Sequence, residues 1–366
     1  MRGARGPRRT LTTLGASLLV ALASSGAAAQ ADQLPSSLTN KPGAITSAEQ
    51  SAIQQFVDRN IPRLTAADPN ERQAGARALR QPLLDQNVSV SFRLAYGQAI
   101  RQPLRDVIRS DDEQSRVLAL LIAGQVATEP CARLAVEVLE DENPVIRYAA
   151  ATALGMTNAS VAARTPAIRQ EQLVSLLRSL GERVVAEQDP WVLERVIRSL
   201  AAAVPVGATN FELVSPAALS EIAVRTSERL SQAGDAELSL GMLQMVLRSA
   251  ETLQRAFEDQ RALPSDTVRQ AAGLGADALV FVARRLKEDG LSPAEVELLT
   301  QIAVAGENVT FFARGKTGAA VENYRIAQQL VDGNRPEFLA RLPRLVGPSG
   351  PMTQAPFNFQ ADRFRF

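Results

Sequence analysis

The chain has 366 residues and a formal charge of +1, with 46% apolar residues, 4% aromatic residues, one cysteine and no histidine. Without histidine, Ser-His-Asp catalysis, Cys-His catalysis and histidine-ligated metal sites are excluded, and a single cysteine excludes an intrachain disulfide. The near balance of acids and bases leaves no basic excess for nucleic acid, and a core of Ala, Leu, Val and Ile with few strand patterns points to an all-α protein.

The first segment reads as an export signal. Arg2, Arg5, Arg8 and Arg9 precede an apolar stretch, Leu11 to Ala23, and a small-x-small site, Ala29-Gln30-Ala31. Cleavage is expected after Ala31, leaving Asp32 as the mature start; cleavage after Ala29 is the near alternative, and an uncleaved anchor the more distant one. The apolar stretch is short of the roughly 20 residues that span a bilayer, and no later run is long enough. Loss of the four arginines turns +1 into −3. The expected location is periplasmic or secreted, in a bacterial setting, so no glycans are expected on the sequons at Asn87, Asn158 and Asn308.

Residues 32–46, with two prolines and a glycine, read as a flexible linker. Ser47-Ala48-Glu49-Gln50 has the form of a capping box, opening a helix with Ile53, Phe56, Val57 and Ile61 on one face. Caps then recur at Asp68, Asp112, Asn143 and Asp189, spaced by 44, 31 and 46 residues. Four residues after each cap stand Arg72, Arg116, Arg147 and Leu193; seven further on stand Leu79, Ala123, Leu154 and Leu200. A weaker fifth copy starts at Asp235, with Ser239 and Val246 in register. Side-chain oxygens and prolines at these positions favour helix starts. Partner helices are expected at about 91–109, 130–139, 171–187 and 216–232.

The C-terminal half is less regular. Helices are expected from Gly234-Asp235 to about 260, from 263 to 289, from the Ser292-Pro293-Ala294-Glu295 box to near Gly306, and over 319–331 and 335–345. The resulting division is a signal peptide at 1–31, a linker at 32–46, repeats at 47–204, degenerate repeats or a terminal cap at 205–346, and a disordered tail at 347–366, for whose phenylalanines docking onto the chain's own solenoid or addition to a partner's sheet are the alternatives.

The phrase Asn143-Pro144-Val145-Ile146-Arg147-Tyr148-Ala149-Ala150-Ala151-Thr152-Ala153-Leu154-Gly155 resembles the HEAT-repeat family, over roughly Asp68 to Val204. The resemblance implies an α-solenoid of stacked antiparallel helix pairs, a HEAT/armadillo-like superhelix, with the second helices lining a concave surface. It also implies a polar ladder from an Asp and an Arg six apart. Asp141 and Arg147 are the one full copy; Arg72 and Arg116 lack that Asp and Leu193 replaces the Arg, which argues against a regular ladder. Such arrays hold partners, here a protein or peptide. Trp191 at a helix start, with Tyr148 and Arg195, gives the candidate partner-binding residues; packing of Trp191 between repeats is the alternative.

Other signals point to no chemistry. Gly315-Lys316-Thr317 resembles the end of a phosphate loop, but Thr310 stands where the first Gly is needed. The clusters Asp111-Asp112-Glu113 and Glu140-Asp141-Glu142 read as helix caps. Cys131 reads as a buried, inert thiol. No cofactor, metal or catalytic residue is expected, and the chain reads as a non-enzymatic scaffold. The alternatives are a permanent structural subunit of an envelope assembly, or an enzyme of the HEAT-like bilin lyase type, against which export argues.

Overall fold

The computed structural model describes residues 33–233, 239–259, 262–318 and 321–366. The signal segment and the expected cap Asp235 lie outside the described residues. In chain order the main helices are α1 Ser47–Asn60, α2 Pro69–Arg80, α3 Val90–Ile108, α4 Glu113–Val126, α5 Glu129–Val136, α6 Pro144–Ala163, α7 Gln170–Ala186, α8 Pro190–Ala201, α9 Val214–Ala233, α10 Leu240–Glu258, α11 Ser265–Arg285 and α12 Pro293–Lys316. Among the described residues there is no strand, only one isolated bridge between Thr128 and Ala167.

The caps explain where these helices start. Asp68, Asp112, Asn143 and Asp189 each accept a backbone N–H of the first turn, satisfying donors that have no partner within the helix. Two starts differ from the sequence reading. Thr46, not Ser47, caps α1: its hydroxyl accepts from the Glu49 amide while the Glu49 carboxylate accepts from the Thr46 amide at 2.7 Å. The fifth repeat helix, α10, is capped by Ser239, which accepts from the Met242 amide.

Each helix packs on the helix two places along the chain. This gives one row of α1, α3, α5, α7, α9 and α11 and a second of α2, α4, α6, α8, α10 and α12. The protein is therefore a two-layered α-solenoid of antiparallel pairs, because each pair buries its apolar stripes against the next. The short spacing of 31 residues has a simple cause: α5 has only 8 residues. The rows run on unbroken through α12, so the segment from 205 to 316 continues the stack.

The small-residue core matters most where α11 crosses α12. A Cβ on Gly275 would lie 2.7 Å from the Gly306 carbonyl oxygen, and one on Gly306 would lie 2.9 Å from that of Gly275. Only glycine permits this approach, and α12 runs past Gly306 to Lys316 where an earlier end was expected.

The C-terminal end of the stack is covered. Residues 321–346 fold over α12: Glu307 accepts the Ile326 and Ala327 amides at 2.8 Å each, and the Arg314 guanidinium lies 5.0 Å from the Tyr324 ring. Of the helix expected over 319–331, only Gln328–Val331 is helical among the described residues. The expected flexible linker is corrected, since its first half is docked: Ser36–Thr39 is helical, Leu38 is buried, and the Thr39 carbonyl accepts from the Ser89 amide at 2.9 Å. The expected disorder of the tail is also corrected in favour of its alternative, docking onto the chain's own solenoid, since Phe357, Phe359 and Phe364 are buried against α11. Aromatic burial outweighs the Pro- and Gly-rich composition from which disorder was read.

Candidate partner-binding face

The second row presents the sequence-predicted residues. Tyr148 lies on α6 and Arg195 on α8, and these helices are stacked neighbours. The Arg195 guanidinium lies 4.7 Å from the Tyr148 ring centroid, and its Nη2 also donates to the Tyr148 hydroxyl. Cation–π and hydrogen-bond contacts together fix both side chains. Trp191 precedes Arg195 by one helical turn, so both face the same way. It is 72% exposed, against the alternative of packing between repeats, and Asp189 holds its amide at 2.9 Å. Val145 at the start of α6 and Leu240 at the start of α10 are exposed as well. Helix starts on three successive repeats therefore carry solvent-facing apolar groups beside the Tyr148–Arg195 pair. Further along, α10 and α12 frame a groove of about 470 Å³ with Leu247, Val304 and Val331 among its walls.

This face is held by a ladder that the sequence reading did not expect to be regular. Arg72 pairs with Asp112 at 3.2 Å, Arg116 with Asp141, and Arg147 with Glu187 at 2.8 Å. Each aligned arginine reaches an acid of the following repeat, placed at its cap or two residues before it. Arg147 does not pair with the Asp141 carboxylate; it donates to the Asp141 backbone oxygen. Leu193 ends the ladder by entering the core, where it is buried. The Glu187 carboxyl is pushed up by burial, but hydrogen bonds from Arg147 and the Asp189 amide, with the Arg147 charge, bring it below the usual glutamate value. The hydrogen bonds to Glu187 likewise hold the Arg147 guanidinium above its own.

The remaining signals have structural roles. Asp112 caps α4, and Asp141 accepts the Asn143 amide at 2.9 Å while pairing with Arg116. Gly315 and Lys316 form the last turn of α12, where the helix dipole disfavours a phosphate. Cys131 is fully buried, with its thiol directed at the Gly97 carbonyl and pushed up by burial to about 11. No group of three or more His, Cys, Asp or Glu side chains among the described residues is arranged to hold a metal.

Sequence reasoning missed the face of α11 that holds the tail. Its signal was a stripe spaced by four residues, Arg269, Gly273 and Asp277, on one side of a helix otherwise rich in apolar residues.

No family model and no curated protein matches the chain. Among solved structures, the chain is similar to an engineered protein at 12% identity and a TM-score of 0.40, with 71% of this chain and 97% of that chain covered. It is also similar to a designed armadillo repeat protein at 14% identity and a TM-score of 0.35, with 68% and 99% covered. These likenesses are loose; the fold class follows from the two helix rows themselves. The chain is an all-α solenoid of stacked antiparallel helix pairs.

Proposed function

We propose that the chain is an exported, non-enzymatic scaffold that binds a protein or extended peptide in the periplasm or cell envelope, along the second helix row at Tyr148, Trp191 and Arg195. The observation that carries this reading is the exposure of Trp191 on a rigid helix beside the interlocked Tyr148–Arg195 pair. A large ring carried on a rigid helix loses only its own side-chain freedom on binding, and tryptophan is enriched among residues that dominate interface affinity. Rigid repeats spread such contacts over a long surface. Export rests on the form of residues 1–31, and no helix among the described residues is long and apolar enough to cross a membrane.

Two measurements test the reading. Mass spectrometry of the chain from the extracytoplasmic fraction should find a mature N-terminus at Asp32 or after Ala29; retention of Met1 in the cytoplasm would refute export. Capture of a defined partner from that fraction should weaken at least tenfold for the Trp191→Ala, Arg195→Ala double variant with unchanged far-UV helicity. Undiminished capture would move the binding surface elsewhere.

A further inference from the structure

The C-terminal tail lies on the opposite row, along one stripe of α11, and its seating has the character of ligand recognition. Arg269 donates to the Phe357 carbonyl at 2.8 Å and Arg284 to the Arg365 carbonyl at 2.9 Å. Two helix arginines thus hold the main chain of the tail at both ends. Fifteen residues of helix between them rise about 22 Å, and the tail that crosses this stretch includes a 3-10 turn at Ala361–Phe364.

Between these anchors the side chains are read. Arg363 forms a two-pronged pair with Asp277, at 2.9 and 2.6 Å. Phe359 carries the Arg269 guanidinium at 4.9 Å and the Arg363 guanidinium at 4.7 Å from its ring centroid. A Cβ on Gly273 would come within 2.9 Å of Arg363 and 3.0 Å of Phe359, so the helix is notched where the tail crosses it. The fit is incomplete: a cavity of about 560 Å³ lies between the tail, α9 and α11, lined by Val224, Leu230, Phe281 and Gln270 among others.

We infer that the α9–α11 face is a docking site for a partner segment of the form Phe-x-Phe-x-x-x-Arg-Phe that turns as the tail does at Ala361–Phe364, and that residues 357–364 occupy it as a built-in competitor. Main-chain anchoring by Arg269 and Arg284 is indifferent to side chains, while Asp277 and the Gly273 notch select the arginine and the aromatic ring. A tethered segment competes at an effective concentration in the millimolar range. A second copy's identical tail therefore loses to the cis tail at ordinary concentrations, whereas a partner segment that also fills the cavity can displace it.

The test uses the full chain and a fluorescein-labelled peptide of residues 354–366, with circular dichroism as the fold control. Arg363→Glu in the chain loosens its own tail, so the peptide should bind this variant at least tenfold tighter than it binds the unaltered chain. Phe359→Ala in the chain should act in the same direction and serves if the charge variant fails to fold. An Asp277→Arg chain should reject the wild-type peptide yet bind a peptide carrying Arg363→Glu at least tenfold tighter. Equal binding across these pairs, or none to any folded variant, would overturn the inference. So would concentration-dependent dimerisation of the unaltered chain, which would assign the face to exchange between copies. None of these outcomes bears on Trp191, so failure here is separable from failure of the proposed partner face.

Discussion

Arg147 on α6 delivers two hydrogen bonds of 2.8 Å to the carboxylate of Glu187, which immediately follows α7, and the Glu187 side chain is 1% exposed. The same carboxylate accepts the Gln188 and Asp189 amides and Arg183 Nη2. One buried acid therefore ties the third repeat to the fourth and shapes the turn that leads to Asp189, the cap of the helix bearing Trp191.

Glu187→Ala should destabilise the chain by about 3 kcal/mol, because removing one partner of a buried ion pair strands the other. Equilibrium urea unfolding should show a lower midpoint. A loss under 1 kcal/mol would mean that the ladder is decorative. Asp112→Ala, which removes the exposed partner of Arg72 and the cap of α4, should cost about 1 kcal/mol, mainly through the lost cap.

Part of the pH dependence follows from two of the lowered carboxyls, Glu49 and Glu187. Hydrogen bonds from Lys41, then from the Thr46 amide and hydroxyl, bring Glu49 from the ordinary 4.5 to about 2. A carboxyl lowered on folding contributes stability that is fully present above its unfolded value and is lost as pH falls through its folded value. The contribution of Glu49 should thus fade between pH 4.5 and about 2, and that of Glu187 should fade in the same direction. Denaturation midpoints across this window should fall less steeply for Glu49→Gln than for the unaltered chain.

Cys131 should resist alkylation by iodoacetamide at pH 8 in the folded chain, since the thiolate is the nucleophile and burial holds the thiol near 11. Labelling should appear in denaturant. As the chain has one cysteine, the mass shift reports this site alone; rapid native labelling would contradict its burial.

Gly275→Ala tests the α11–α12 crossing. Helix propensity favours alanine by about 1 kcal/mol, but the new Cβ would meet the Gly306 backbone oxygen at 2.7 Å. Overpacking should dominate, with a net loss of about 1–3 kcal/mol. Gly315→Ala in α12, whose nearest neighbour is 3.8 Å away, should instead raise the melting temperature slightly. Matching shifts from both variants would show that the crossing tolerates separation.

Much of the local structure was legible because it is written within one or two helical turns. Asp68, Asp112, Asn143 and Asp189 each cap the helix that their own next residues build. The apolar phrase at Ile146, Ala149, Ala150, Ala153 and Leu154 requires a buried stripe on each repeat, and stripes on successive helices require stacking. The C-terminal repeats were harder to read, because Ser239 caps a helix four residues beyond the expected start and lies among weaker signals.

What the sequence by itself determined was thus the helical class, the start of most helices, the stacking of pairs and the absence of histidine chemistry; each follows from side-chain type and spacing along a short stretch. What only the tertiary structure decided were contacts between distant segments. Arg147 chooses Glu187 over Asp141, Arg195 closes on Tyr148, and the tail finds the Gly273 notch on α11. A pattern along the chain specifies which faces must be buried, but which charge meets which depends on how the rows place helices 40 or more residues apart in sequence, as Arg147 and Glu187 are.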